Sequence, residues 1–404
     1  MKEKLQNMYV KVSYDSWKAS EAFKPDVVAT HKSVFAGFGI AAKLGKPYVQ
    51  FSFSPWDASG SYPTFFDEKA MADPSCWYFT KETTPQKQFA NFVAHTAAIE
   101  GGWLGQYGHV KDTLKMDNLP KTCAYFLLSK SKVPVLSAWS PSILNPPDFK
   151  APHSNVTGYW FMDTVRKSSW EPPKTLTDFL ASGDKPVYIG FGSMFADNPD
   201  KVRESIMGVI KNTKQRFVLL GGWAKIFGEK DLSDDVFVIN EVPHSWLLPK
   251  MKAAVIHGGA GTTGACLRAG IPTIIVAHIS DQPWWGNLLY HQGVGTSQMH
   301  VKDISTENLT AAVTEAISNK SMIEKAKAIG ESIAKEDGLE QAAKIIQRAI
   351  DDNCVPCFEM DSPPWLKRDP PMPSTEEDFL WMYENNMHQY EPEIVKKHFQ
   401  DTKK

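Results

Sequence analysis

The chain has 404 residues, long enough for two or three domains that each bury a core. Its 44 basic and 46 acidic residues leave a net charge of -2, which excludes the one-sided field of a nucleic-acid binder, so nucleic acid is not an expected partner. The five cysteines, Cys76, Cys123, Cys266, Cys354 and Cys357, are an odd and scattered set that suits a reducing cytosol better than a disulfide framework.

Cys354-Val-Pro-Cys357 has no second pair at zinc-ligand spacing, so it reads as an ordinary loop and no metal is expected. The opening "MKEKLQNMYVKVSYDSW" lacks the apolar core of a signal peptide, and no uninterrupted apolar run is long enough to span a bilayer. Without a secretory signal, the sequon Asn155-Val-Thr157 reads as coincidence.

The first segment with clear shape is "KPDVVATHKSVFAGFGIAAKLGKPYVQFSFSPW". It predicts a strand over Val27–Thr30, a helix over Ser33–Leu44 and a strand over Pro47–Ser52, a βαβ unit and hence a parallel sheet. Residues 85–130 carry helical spacing with breaks expected at Gly101-Gly102 and Pro120, and "VPVLSAWSP" predicts a further strand. Prolines and polar residues then cluster in "SSWEPPKTLTDFLASGDKP", which marks a linker.

A second alternating series follows. "PVYIGFGS", "RFVLLGG", "VFVIN", "AAVIH" and "PTIIVA" read as strands, while residues 199–213, "HSWLLPKM" and "GTTGACLRAG" read as helices. This is the rhythm of a doubly wound α/β domain, whose ligands bind beyond the carboxyl ends of the strands. Helices are expected from Ser305 to Asp352, then the extended, proline-rich "VPCFEMDSPPWLKRDPPMP", then one helix over residues 376–398 carrying Phe379, Leu380, Trp381 and Tyr383. The expected division is a partial N-terminal domain over 1–165, a linker over 166–186, a C-terminal domain over 187–352 and a closing segment over 353–404.

The unusual polar residues of the second half fall at strand ends. His257 ends one strand and Gly258–Thr263 opens the next helix, where free N–H groups, the helix dipole and the Thr262 and Thr263 hydroxyls suit a diphosphate. The same pattern also fits a glycine turn chosen only for tightness. Asp281-Gln282 after the next strand suits sugar hydroxyls, or Asp281 caps a helix starting at Pro283. Gly190–Ser193 and Glu241–His244 add two more loops at that edge.

The stretches "IGFGSM", "VPHSWLLPKMKAAVIHGGAGTTGACLRAGIPTIIV" and "DQPWWG" resemble the donor-binding signature of UDP-sugar-dependent glycosyltransferases of the GT-B fold. Within these they are most similar to the sterol 3-beta-glucosyltransferases, with HHGGxGTT, LRAGxPT and DQPFWG. The likeness is strongest over residues 185–300 and extends more weakly back through Ser54-Pro55-Trp56 to about residue 25. It implies an α/β, GT-B-like fold of two Rossmann-like doubly wound domains facing a cleft, the N-terminal one incomplete.

The resemblance also implies roles. Backbone groups at Val242 would pair with the uracil and His244 would lie against the nucleoside. His257, Ala260, Gly261 and Thr262 would hold the diphosphate, Asp281 and Gln282 the glucose, and Ser193 would reach the phosphate side. Glu241 and Ala265 stand where the plant natural-product branch has Trp and a ribose-binding Glu, which favours the sterol branch.

The reaction implied is inverting transfer of glucose from UDP-glucose to the 3-hydroxyl of a sterol or another lipophilic alcohol, without metal or further cofactor. It would run in the cytoplasm, at a membrane surface. Relatives take their base from an early Gly-x-Arg-Gly-Asp-type loop. This chain has none, so the resemblance implies that roughly the first hundred residues of a typical N-terminal domain are absent and leaves the catalytic base unassigned.

A non-catalytic UDP-sugar-binding chain is the alternative. On the acceptor side, His31 is a candidate substitute base, and Trp56, Trp103, Tyr107 and Trp139 line an acceptor site or belong to the core. Trp284 and Trp285 carry the same ambiguity.

Overall fold

A computed structural model describes residues 2–55, 59–121, 131, 133–145, 154–162, 170–192, 194, 198–221, 233–357, 363–384 and 388–402. Trp56, Cys123 and Ser193 lie outside the described residues. The chain forms two compact units, Met1–Gly158 with Asp337–Lys404, and Tyr159–Glu336.

The first unit is built on a parallel sheet of β1 (Val28–His31), β2 (Tyr48–Ser52), β3 (Val135–Ser137) and β4 (Ser154–Val156), in that order. Val28 pairs with Tyr48, Gln50 with Val135 and Val135 with Ser154. The helix Ala36–Leu44 makes the first crossover and stops at Gly45, whose φ of 63° is the left-handed conformation that closes helices. A helix over Lys2–Phe23, with no strong apolar stripe to announce it, packs on this crossover helix and on the helix Pro85–Leu114.

Pro85–Leu114 runs unbroken through Gly101-Gly102, contrary to the expected break. Glycine weakens a helix by about 1 kcal/mol, and tertiary packing overrides that here. A Cβ on Gly102 would lie 3.1 Å from the Phe35 ring, and Phe89, Phe92, Trp103, Val110 and Leu114 are buried along the helix. The helix ends at Lys115, in the left-handed conformation, before Pro120 is reached. Trp103 and Trp139 are core residues: Trp103 packs edge-on to Phe35, and the Trp139 indole donates to the Leu144 carbonyl at 3.2 Å. The Tyr107 hydroxyl is likewise used, donating to the Leu119 carbonyl.

The second unit holds β5 (Val187–Gly190), β6 (Phe217–Leu220), β7 (Val236–Ile239), β8 (Ala253–Ile256), β9 (Thr273–Ala277) and β10 (Met299–His300), all parallel. Their order is β10-β9-β8-β5-β6-β7, the doubly wound arrangement. Strand alternation feeds two cores. Val187, Ile189 and Val255 pack with Ile206, Val209, Leu309 and Val313 of the helices Pro199–Thr213 and Thr306–Ser318. Tyr188, Val218, Ala254 and Ile256 pack with Leu247, Cys266 and Leu176 on the other face. From β5 the chain winds outward through β6 and β7, then returns to lay β8 against β5's other side. The switch point therefore lies beyond the carboxyl ends of β5 and β8.

The helix Gly338–Asp351, read from the sequence with the C-terminal domain, clusters with the first unit. Just past it, the Tyr48 N–H at the start of β2 donates to the Cys354 carbonyl, and Ser131 exchanges two hydrogen bonds with the backbone of Cys357. The single helix expected over 376–398 is two, Glu376–Glu384 and Pro392–Asp401. Pro392 cannot continue a helix, because it lacks an N–H and its ring clashes with the preceding turn, but it starts one well. Trp365, Phe379, Met382, Tyr390 and Val395 close over Phe89 and Phe92. Among the described residues no helix is long and apolar enough to cross a membrane.

Candidate functional site

Two glycine-bearing strand exits meet at the switch point. Gly192, with φ 59°, follows β5, and a Cβ there would lie 3.4 Å from the imidazole of His257, which follows β8. Gly258 has φ 92°, a conformation other residues rarely adopt, and a Cβ on it would press within 2.8 Å of Ile275. Gly259 has ordinary extended backbone, and its need for glycine comes from the imidazole, whose Nε2 would lie 2.4 Å from a Cβ.

The helix Ala260–Ala269 opens here without a side-chain cap. Its first internal bond runs from the Thr263 N–H to the Gly259 carbonyl, so the amides of Ala260, Gly261 and Thr262 precede the ladder and face outward along the dipole. Gly261 is exposed and Ala260 and Thr262 half-buried. Thr263, one helical step further round, is fully buried, and its hydroxyl has no hydrogen-bond partner among the described residues. Behind the helix, Gly264 lets the Tyr159 ring lie flat, since a Cβ would be 2.7 Å from it.

His257 combines the features of an anion ligand. Its Nδ1 is buried with no partner among the described residues, an arrangement that costs free energy until something bonds to it. Burial, then the neighbouring His278, hold the ring below the usual imidazole range, with Asp281 opposing and His244 adding a smaller push in the same direction. The three histidines and Asp281 thus share one field. His244 opens the short helix His244–Leu247, its Nε2 3.5 Å from the Tyr188 hydroxyl, and burial lowers its pKa. Val242 is buried beside it in the core, which fixes the backbone of that loop. Ala265 is buried in the same cluster, and Glu241 is exposed.

The β9 exit places Asp281 half-buried and Gln282 almost fully buried. Asp281 occupies the N-cap position of the helix Gln282–Gln292 without capping it: its Oδ2 accepts from the Trp285 indole N–H at 3.0 Å. The Gln282 side chain is hydrogen-bonded to the loop before it. Its Oε1 accepts from the backbone N–H of His278 (2.7 Å) and Ile279 (3.1 Å), and its Nε2 lies 3.5 Å from the Met194 sulfur. Trp284 and Trp285 are wholly buried, packed edge to face.

His278 escaped the sequence reading. It follows β9 as His257 follows β8, and that repeated position in "AAVIH" and "IIVAH" was the available signal. Its Nδ1 donates to the Val276 carbonyl at 3.0 Å, and its ring packs on Phe191.

In the first unit, His31 ends β1 stacked on Phe53. Its Nδ1 accepts from the Ser33 backbone N–H at 3.3 Å and lies 2.9 Å from the Ser33 hydroxyl. The neutral ring then carries its hydrogen on Nε2, so the lone pair a base would use is already engaged. Among the described residues no three His, Cys, Asp or Glu side chains gather as metal ligands.

Known proteins resemble the chain in sequence and in fold. Residues 225–348 match the family model of the erythromycin biosynthesis protein CIII-like C-terminal domain. A sterol 3-beta-glucosyltransferase of Komagataella phaffii is 33% identical over 364 residues, covering 87% of this chain and 28% of that protein. One from Arabidopsis thaliana is 32% identical over 331 residues, covering 80% of this chain and 48% of its own length. The chain therefore spans half or less of these relatives. The glycotransferase of kitacinnamycin superposes with a TM-score of 0.57 at 19% identity, over 85% of this chain and 82% of that one. VinC, solved in complex with DTDP, gives 0.55 at 15% identity, over 87% and 82%. The chain is thus similar in sequence to sterol 3-beta-glucosyltransferases and has the GT-B fold of the glycosyltransferases.

Proposed function

We propose that the chain transfers glucose from UDP-glucose to the 3-hydroxyl of a sterol, with inversion, at a cytosolic membrane surface. The observation that carries the donor half is the His257 Nδ1, buried and without a partner among the described residues, beside the uncapped helix at Ala260. A diphosphate satisfies both at once, since the imidazole and the free amides of Ala260, Gly261 and Thr262 all donate. Asp281 then accepts from sugar hydroxyls. The acceptor rests on the sterol glucosyltransferase relatives.

A second reading, UDP-sugar binding without transfer, draws on His31, whose engaged Nδ1 makes it a poor base as it stands. One experiment separates them: calorimetry with UDP-glucose, then assay of the same preparation for sterol glucoside. Binding and transfer are expected, with His257→Ala weakening the binding about ten- to a hundredfold. Binding alone supports the second reading, and a folded chain that binds no UDP-glucose refutes both.

A further inference from the structure

The helix Glu376–Glu384 is used on one face and open on the other. Phe379 and Met382 are buried over Phe89 and Phe92, and Asp378 is taken by Arg368 and by the Ser374 and Thr375 N–H groups. On the opposite stripe Glu376, Glu377, Leu380, Trp381 and Glu384 follow at helical spacing, and with Pro364 they line an open groove of about 460 Å³. Pro364, Leu380 and Trp381 are half-buried and form its floor, while Glu377 and Glu384 are exposed. The Trp381 ring is held at 90° to the buried Trp365 ring, centroids 5.4 Å apart. Among the described residues no ion pair reaches the three glutamates, and Arg368, which feels Glu377, gives its carboxylate bonds to Asp378. The helix dipole favours Glu376 and Glu377 in the first turn. It disfavours Glu384 in the last, where a basic residue is the usual choice and none stands. The reason for Glu384 lies outside its own helix.

We propose that this groove docks an extended basic segment of a partner protein, with Lys or Arg at two positions four apart and an apolar residue midway. Along the helix Glu376 and Glu384 stand about 12 Å apart, too far for one ammonium or one metal ion to serve both ends. In an extended chain residues i, i+2 and i+4 share a face and span about 13 Å. The outer two then meet the glutamates while the middle one covers Leu380 and Trp381, an apolar centre inside a charged rim. A cation over the indole face gains further attraction. The same carboxylates repel an anionic lipid surface and nucleic acid. All six lining residues belong to the first unit, so the proposal does not depend on the donor reading.

The test titrates the full chain into a labelled synthetic peptide, two arginines four positions apart about a central leucine with glycine elsewhere, followed by fluorescence anisotropy. A Kd of about 10–100 μM is expected, weakening severalfold as salt is raised. Glu377→Gln/Glu384→Gln should weaken binding about tenfold with the melting temperature unchanged, since both side chains are exposed. Glycine in place of the peptide's leucine should cost the wild type about fivefold and the Leu380→Ser chain nothing further.

Equal binding by the wild type and by Glu377→Gln/Glu384→Gln overturns the proposal. So does a peptide with glutamates for arginines that binds as well, or no saturable binding below about 1 mM. Pelleting with phosphatidylserine vesicles that Leu380→Ser abolishes would give the groove to a lipid surface, and dimerisation that the glutamate pair abolishes would give it to a second copy. Either result overturns the partner segment. Should Leu380→Ser fail to fold, the glutamate pair alone carries the test.

Discussion

Gly259→Ala isolates the imidazole of His257 from everything else at the site. Gly259 has φ −63° and ψ 137°, which alanine adopts without strain, so the backbone has no reason to change. The new methyl would lie 2.4 Å from Nε2, where ordinary contact begins at 3.4 Å, so the ring must withdraw by about 1 Å. That is enough to break a hydrogen bond to a bound phosphate. A bond to a charged group is worth about 1.5–3 kcal/mol, or about ten- to a hundredfold in Kd.

Folding should be almost untouched, because the displaced atoms belong to the end of a side chain. Restricting the unfolded chain adds about 0.4–1 kcal/mol, and the melting temperature should hold or rise by a few degrees, about 2–4 °C. Calorimetric titration with UDP and thermal unfolding on one preparation give both numbers. His257→Ala should lose as much affinity, and the double variant no more than either alone. A Gly259→Ala chain that melts normally and binds UDP within about twofold of wild type refutes the reasoning.

His388 should make the first unit acid-sensitive. Burial pushes its pKa down to about 4; its Nε2 donates to the Phe379 carbonyl and its Nδ1 accepts from the Tyr390 N–H, so a second proton has no place. The folded value lies below the unfolded one, so stability is complete above about pH 6.5 and is lost as pH falls toward 4, by about 3 kcal/mol at most. Urea unfolding at pH 7 and 4.5 should show that loss, reduced in His388→Gln; equal losses in both would refute it. Asp378→Asn should cost about 3 kcal/mol in the same assay, because the buried carboxylate accepts from Arg368 at 2.5 and 2.6 Å and from the Ser374 and Thr375 N–H groups. Burial raises the Asp378 pKa, but those donors outweigh it and the net shift is downward. Gly101→Ala, with nothing within 4 Å of its Cβ, should stabilise by about 0.5–1 kcal/mol. Gly60→Ala, whose Cβ would lie 2.3 Å from the Gln88 carbonyl oxygen, should destabilise; a loss for the first or a gain for the second counts against the packing described.

Five strands of the second sheet were legible as apolar runs, a signal that needs no tertiary context, whereas the two-residue edge strand β10 carries no such run. The His257 loop was legible for a similar reason: glycines at Gly258 and Gly259 and the following helix are consecutive in the chain. Roles that depend on which way a side chain turns were not. Thr262 and Thr263 look alike in sequence, but one helical step, 100° of rotation, separates a half-buried residue from a core one. That the Gln282 carbonyl oxygen takes two backbone N–H groups of the loop before it is equally invisible in the sequence.

The glycines make the same point most sharply. Gly101-Gly102 reads as a break, yet the helix runs through it: Gly102 leaves room for the Phe35 ring, while Gly101 has nothing within 4 Å of an added Cβ. Gly258 and Gly259 stand side by side and answer to different constraints, one to a backbone angle and the other to the imidazole next to it. A sequence records that glycine is present, while the reason lies in what approaches it. A substitution at Gly258 should therefore damage the fold and one at Gly259 only the ligand. That contrast separates a turn chosen for tightness, where both would act alike, from a turn shaped around His257.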